Sequence, residues 1–241
     1  MANASLIQKV LANAGAYEDQ PPEAVLAFVI ETMGRDVVQA NSLGPEDVVI
    51  THMLSALDSG FKSFTLDTGR LNPETYELMD RLKQKYDLDL KIMFPDNKAV
   101  EVMVKNKGIN LFYDSIENRQ QCCQVRKIEP LKRVLSEFSG WICGLRREQS
   151  PTRTQVAKIE IDAGNGGIIK VNPLADWTSV QVWNYIKANS LPYNRLHDSG
   201  YASIGCAPCT RAIKPGESER SGRWWWENPD SKECGLHGGK S

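Results

Sequence analysis

Four of the six cysteines fall into two pairs, the adjacent Cys122-Cys123 and the turn Cys206-Ala207-Pro208-Cys209. Four thiolates are enough to hold one metal centre. Structural zinc is usually held by two CxxC-like pairs, because two intervening residues let a tight turn aim both sulfurs at one ion. Adjacent cysteines on a helix diverge by about 100°. They suit a wider group reached through two different irons, so the spacing fits an iron–sulfur cluster better than zinc. A fifth cysteine, Cys234, sits in Glu233-Cys234-Gly235-Leu236-His237, outside both pairs. A cysteine with a histidine three residues on has the makings of a nucleophile and base. The glycines at 235, 238 and 239 would let such a thiol meet two partners in turn. A frayed terminus with an incidental thiol is the plainer reading of the same residues. Cys143, within Gly140-Trp141-Ile142-Cys143-Gly144, reads as a buried small hydrophobe.

Disulfides would compete for these thiols only in an oxidising compartment. The segment Met1-Ala-Asn-Ala-Ser-Leu-Ile-Gln-Lys9 has no charged region followed by a long apolar one, so it does not read as a secretory signal. No apolar run reaches the ~18 residues of a membrane span. A cytoplasmic protein with no membrane partner is expected. The near-balanced charge, −1, gives no general surface for polyanions and argues against a nucleic-acid partner. At 241 residues the chain suits one large domain with appended segments.

Anion-binding groups recur beside the cysteines. Ser42-Leu43-Gly44 precedes a helix, whose N-terminal N–H groups and dipole favour a phosphate; a plain strand-to-helix turn would look the same. The segment lacks the Gly-Lys-Ser/Thr ending of a Walker A loop, so P-loop ATP hydrolysis is not supported. Arg146, Arg220 and Arg223 could grip sulfate or phosphate at two points, and Lys127 follows the cysteine pair by one helical turn. Taken singly, each is more often a solvated surface charge. Trp224-Trp225-Trp226 could stack on a base or anchor an irregular segment.

These groups need a scaffold, and the patterning supplies one. Helices are expected over 4–33 (two, the second starting after Pro21-Pro22), from Pro45 to Leu57, Pro73 to Tyr86, Asn97 to Lys107, Cys122 to Leu135 and Val180 to Asn189, the last capped by Thr178 or Ser179. Strands are expected at Val37–Ala40, Phe61–Leu66, Leu88–Phe94 and Trp141–Leu145. Alternating strands and helices imply an α/β fold, a mainly parallel sheet flanked by helices. Ligands on such sheets bind beyond the carboxyl ends of the strands. Ser42–Asp47, Asp67–Arg70 and Gly144–Ser150 all follow strands and should gather there. From Pro192 onward the composition reads as irregular and ligand-organised. The expected division is an N-terminal helical segment (1–34), a nucleotide-binding domain carrying the cysteine site (35–215) and a C-terminal segment (216–241).

Six segments together resemble the assimilatory adenylylsulfate reductases, the iron–sulfur branch of the phosphoadenylylsulfate reductase family. They are Leu66-Asp67-Thr68-Gly69-Arg70-Leu71, Cys122-Cys123-Gln124-Val125-Arg126-Lys127, Arg146-Arg147-Glu148-Gln149-Ser150, Ser203 to Thr210, Gly222 to Glu227 and Lys232 to His237. The resemblance implies an adenine-nucleotide α-hydrolase-like, Rossmann-like fold. It implies a [4Fe–4S] cluster on Cys122, Cys123, Cys206 and Cys209, with Lys127 near both cluster and substrate. It implies reduction of adenosine 5′-phosphosulfate to sulfite and AMP in sulfate assimilation and cysteine biosynthesis, with thioredoxin as reductant and Cys234 as the catalytic thiol. Substrate contacts would come from Ser42, Gly44, Asp67, Thr68, Gly69, Arg146, Arg220, Arg223 and His237. Where the family commonly has Ser-Phe-Gly-Ala-Glu-Asp, this chain has Ser-Leu-Gly-Pro-Glu-Asp, and Cys143 stands where relatives often carry threonine. A homo-oligomer is the expected assembly. Three alternatives stay open: a reductase of the 3′-phosphorylated substrate or of both, a tRNA-thiolating ATP pyrophosphatase, and an iron–sulfur sensor. The second wants a Ser-Gly-Gly-x-Asp-Ser loop that Ser42–Asp47 does not provide, and the third needs no arginine-rich pocket.

Overall fold

The computed structural model describes residues 3–227. Proline and capping residues fix many helix starts. Helices α1 (Ala4–Ala14) and α2 (Pro22–Met33) lead into strand β1 (Val37–Ala40). Then α3 (Pro45–Leu57), β2 (Ser63–Leu66), α4 (Pro73–Tyr86), β3 (Leu90–Met93) and α5 (Asn97–Lys107) alternate. Pro22, Pro45 and Pro73 all stand in first turns, where a missing N–H costs nothing. Asp96 caps α5 by accepting from the Ala99 N–H.

The expected single helix from Cys122 to Leu135 is different in the structure. Helix α6 starts earlier, at Ile116, because Ser115 accepts from the Asn118 N–H and caps it there. It ends at Cys123, a π-turn spans Gln124–Ile128, and α7 runs from Glu129 to Leu135. Beyond β4 (Gly140–Ile142) come two strands that the periodicity did not reveal, β5 (Ile159–Asp162) and β6 (Ile168–Val171). The last helix, α8 (Ser179–Ala188), opens with a capping box in which Thr178 and Gln181 satisfy each other's backbone.

The sheet order is β3-β2-β1-β4-β6-β5. All neighbours are parallel except the edge pair β5–β6. Strand residues alternate between two cores. Val37, Ile142, Ile169 and Val171 join the core that includes Val10, Leu26, Leu54, Leu82 and Ile186. Val38, Trp141 and Ile168 face Leu131, Val134 and Leu135 of α7. Each such side chain contributes about 1.5–3 kcal/mol on burial. The N-terminal helices pack into the first core through Val10, Val25 and Val29, and Lys158 ties them to the sheet by donating to the Gln20 carbonyl at 2.7 Å. Among the described residues, no helix is long and apolar enough to cross a membrane.

Strand order reverses between β1 and β4, so their carboxyl ends flank a crevice. Gly144 lets the chain after β4 lie against the start of α3: a Cβ there would fall 2.6 Å from Glu46 Cβ.

Candidate active site

The crevice is a cavity of about 230 Å³, partly open to solvent. Three segments at strand ends line it: Ala40–Asp47 after β1, Thr65, Leu66 and Thr68 at β2, and Cys143–Leu145 after β4. Ser203–Cys206, Arg220 and Arg223 close it from the C-terminal side. Ser42 and Gly44 thus stand at the N-terminus of α3, as an anion site requires. The loop is braced from within. Ser42 donates its N–H and hydroxyl to Asp47 Oδ2, at 2.7 and 2.5 Å, and Asn41 Oδ1 accepts from the Leu43 N–H at 2.9 Å. Leu43 takes φ +64°, so that local bond holds a conformation L-residues rarely adopt.

Asp47 is fully buried, and burial pushes its carboxyl up to about 7 despite the Ser42 hydrogen bonds, with Glu46 pushing the same way. Folding therefore makes Asp47 hold a proton that the unfolded chain has released. The stability it contributes is full below about pH 4 and is lost as pH rises through 7. Asp47→Asn should remove that slope, about 1 kcal/mol per pH unit at its steepest. Urea denaturation of both proteins at pH 4.5 to 7.5 measures it, and parallel stability curves would refute the assignment.

Thr68 lines the pocket, and its Oγ1 lies 3.2 Å from Cys206 Sγ. Asp67 and Gly69 do not line it. Asp67 instead accepts from the Gly69 N–H at 2.7 Å and the Tyr76 hydroxyl at 3.0 Å, and Gly69 takes φ +69° to make the turn. Arg146 lies outside the pocket lining. Its buried guanidinium is engaged by three carboxylates, Glu46 at 2.7 Å, Glu148 at 3.0 Å and Glu219 at 3.4 Å. Arg153, which no motif singled out, lines the pocket in its place. The signal was present seven residues along the same loop, but nothing in the spacing distinguishes one arginine of Arg146-Arg147 and Arg153 from another.

The four paired cysteines share a second, smaller cavity with Arg70, Phe112, Arg119, Arg126 and Lys127. Lys127 joins them through its spacing from Cys123. It follows Cys123 by about one turn, so the two share a face across the junction of α6 and the π-turn. Lys127 and Cys206 line both cavities and form part of their common wall. Burial opposes ionisation of Cys206, but Lys127, the Thr68 hydroxyl, Arg223 and Arg126 overcome it and hold its thiol below the usual range. Burial pushes Cys209 up to about 12. The donor set is all thiol and its surroundings are cationic, which suits an anionic thiolate cluster. Among the described residues, no three His, Cys, Asp or Glu side chains converge as a single-ion site would require.

The C-terminal strip is anchored by groups the sequence did not reveal as partners. Arg119 and Glu227 form a buried two-point pair at 2.9 and 2.8 Å. Trp224 is buried between the guanidinium carbons of Arg119 and Arg223, 4.8 Å from each. Of the two readings of the tryptophan run, Trp224 takes that of anchor. Gly205 leaves room for Arg223, whose guanidinium would overlap any Cβ there. Cys143 lines the pocket, with its thiol donating to Asn172 Oδ1 at 3.1 Å and burial pushing it up to about 12. Cys234 and His237 lie outside the described residues.

The chain is 47% identical over 215 residues to an adenosine 5′-phosphosulfate reductase of Burkholderia cepacia, covering 89% of this chain and 85% of that one. It is 51% identical over 201 residues to the enzyme of that name from Allochromatium vinosum, covering 83% and 78%. The fold superimposes on a phosphoadenylyl-sulfate reductase from Candida auris with a TM-score of 0.71 and 27% identity, covering 88% of this chain and 98% of that one. Residues 36–212, most of the α/β unit and the whole cysteine site, match the phosphoadenosine phosphosulfate reductase domain, and the chain belongs to that family.

Proposed function

We propose that the chain reduces adenosine 5′-phosphosulfate to sulfite and AMP in sulfate assimilation, taking electrons from thioredoxin. The observation that carries this reading is the common wall: Lys127 and Cys206 face both an open pocket at strand ends and a cavity ringed by four cysteines. The relatives named above act on adenosine 5′-phosphosulfate by name, which supports the same substrate here.

The substrate is a sulfate–phosphate mixed anhydride. Ser42 and Gly44, at the N-terminus of α3, would hold the 5′-phosphate. Lys127, Arg220, Arg223 and Arg153 would surround the sulfate oxygens and offset charge building there. The Cys234 thiolate attacks sulfur, the S–O bond to phosphate breaks, and AMP leaves with its electron pair. Cys234 is left as S-sulfocysteine. A thioredoxin thiolate then attacks Cys234 Sγ, and sulfite departs with the electrons of the S–S bond. The second thioredoxin thiol resolves the mixed disulfide and frees Cys234, so the dithiol is oxidised and sulfur gains two electrons. Cys122, Cys123, Cys206 and Cys209 would hold a [4Fe–4S] cluster, which supplies a structural and electrostatic anchor beside Lys127.

Protein purified anaerobically should be brown, with about four irons per chain, and should release sulfite from adenosine 5′-phosphosulfate when thioredoxin is supplied. A colourless, zinc-only preparation with full activity would overturn the cluster assignment. Failure of an iron-loaded preparation to release sulfite would overturn the reaction.

A further inference from the structure

Three buried side-chain atoms among the described residues have no hydrogen-bond partner: Asp47 Oδ1, Arg223 Nε and His197 Nε2. All three residues line the nucleotide pocket. An unpaired buried polar atom costs about 1–3 kcal/mol, so orphans gathered at one cavity mark where a ligand completes the bonding. The mechanism above accounts for the loops carrying Asp47 and Arg223. It leaves His197 unused.

His197 sits in a turn, Arg195–Ser199, and its ring packs edge-on against Trp183 with centroids 5.1 Å apart. It stands between the nucleotide pocket and a third cavity, lined by Trp183, Tyr201 and Lys214. Burial favours the neutral imidazole, against a hydrogen bond to the Tyr201 backbone and the charges of Glu46 and Asp198. A neutral ring carries one proton; placed on Nδ1, towards the Tyr201 backbone, it leaves Nε2 as an acceptor. Glu46 and Glu219 border the same two cavities. Both are held by Arg146, which also holds Glu148, and the positive charge of Arg220 acts on Glu219 as well, so these carboxylates are shared between two guanidinium groups. Lys214 is exposed to solvent. At His197 and the two glutamates this wall offers acceptors, which a hydroxyl can satisfy and a phosphate cannot. The two nucleotides that compete for such a pocket differ in that respect at one position. One has a 3′-hydroxyl, a donor, and the other a 3′-phosphate, which carries only acceptors and negative charge.

We infer that His197 takes a hydrogen bond from the 3′-hydroxyl of the bound nucleotide and, with Glu46 and Glu219, sets the preference for adenosine 5′-phosphosulfate over its 3′-phosphorylated form. The inference rests on the proposed nucleotide pocket. His197→Phe keeps a ring against Trp183 and removes Nε2, while His197→Gln keeps an acceptor. Binding of AMP and 3′-deoxy-AMP to the full-length, anaerobically purified protein gives a readout independent of turnover. The unaltered protein should prefer AMP by about 5- to 10-fold, His197→Phe should not discriminate, and His197→Gln should recover part of the preference. The ratio of kcat/KM values for the two sulfonucleotides should narrow by a similar factor in His197→Phe, and in Glu219→Gln should that ring variant fail to fold. Equal losses for AMP and 3′-deoxy-AMP in His197→Phe would mark the ring as structural and overturn the inference. If no sulfite is released but the deoxynucleotide pattern holds, the reductase reading falls and the hydroxyl contact stands.

Discussion

Cys234→Ser should lose sulfite release by more than about 10⁴-fold while its iron content and its affinity for AMP match those of the unaltered protein. Cys122, Cys123, Cys206 and Cys209 surround a single cavity and are committed to whatever that cavity holds. Cys143 is fully buried with its thiol pushed up to about 12, so at neutral pH it stays protonated and is a poor nucleophile. Of the six cysteines in the chain, only Cys234 then remains to attack sulfur. A serine hydroxyl is isosteric but far less nucleophilic, and it cannot form the S–S bond that thioredoxin must cleave. Mass spectrometry after mixing with substrate, without reductant, should find a sulfonate on Cys234 of the unaltered protein and none on the variant. Sulfite production by the variant, or a sulfonate on another cysteine, would rule out this mechanism.

How much of this was legible in the sequence depends on whether a feature was local. Pro45 and Pro73 mark helix starts by chemistry confined to one turn, and the helices stand at Pro45–Leu57 and Pro73–Tyr86 as expected. Strands β5 and β6 were not read, although Ile159-Glu160-Ile161-Asp162 alternates and Ala163 to Gly167 can turn. Each is only four residues long, and β5 gains its place by antiparallel pairing with β6 at the sheet edge. The π-turn after Cys123 carries no sequence mark, because Gln124-Val125-Arg126-Lys127-Ile128 would fit an α-helix equally well. Ser42, Gly44 and Thr68, expected at strand ends, line one pocket with Lys127, Arg220 and Arg223, which the resemblance singled out. The strand-end rule did not separate Arg146, engaged by Glu46 a hundred residues away, from Arg153, which lines the cavity. Nor could it find His197, whose significance lies in an unpaired nitrogen that exists only once the chain is folded.

Lys127→Ala should slow sulfur transfer by about 10²- to 10³-fold and weaken AMP binding by much less. Lys127 lies on the wall shared by the two cavities, with its ammonium close enough to Cys206 to lower that thiol's pKa. AMP lacks the sulfonate, so it does not place charge where Lys127 points on the shared wall. As Cys234 approaches sulfur, negative charge on the sulfonate oxygens and on the departing phosphate oxygen redistributes towards that wall. A fixed cation there stabilises the transition state more than the ground state, which is the condition for raising kcat. Lys127→Arg keeps the charge but needs more room, so it should recover part of the rate. Single-turnover formation of the Cys234 sulfonate, compared with AMP titration on the same preparations, separates the two effects. Iron content measured alongside shows whether the cysteine site survives the change. Losses of equal size in sulfonate formation and AMP affinity would make Lys127 an ordinary nucleotide-binding cation. Loss of iron with either would make it a prop for the cysteine site, and the transition-state role would fall.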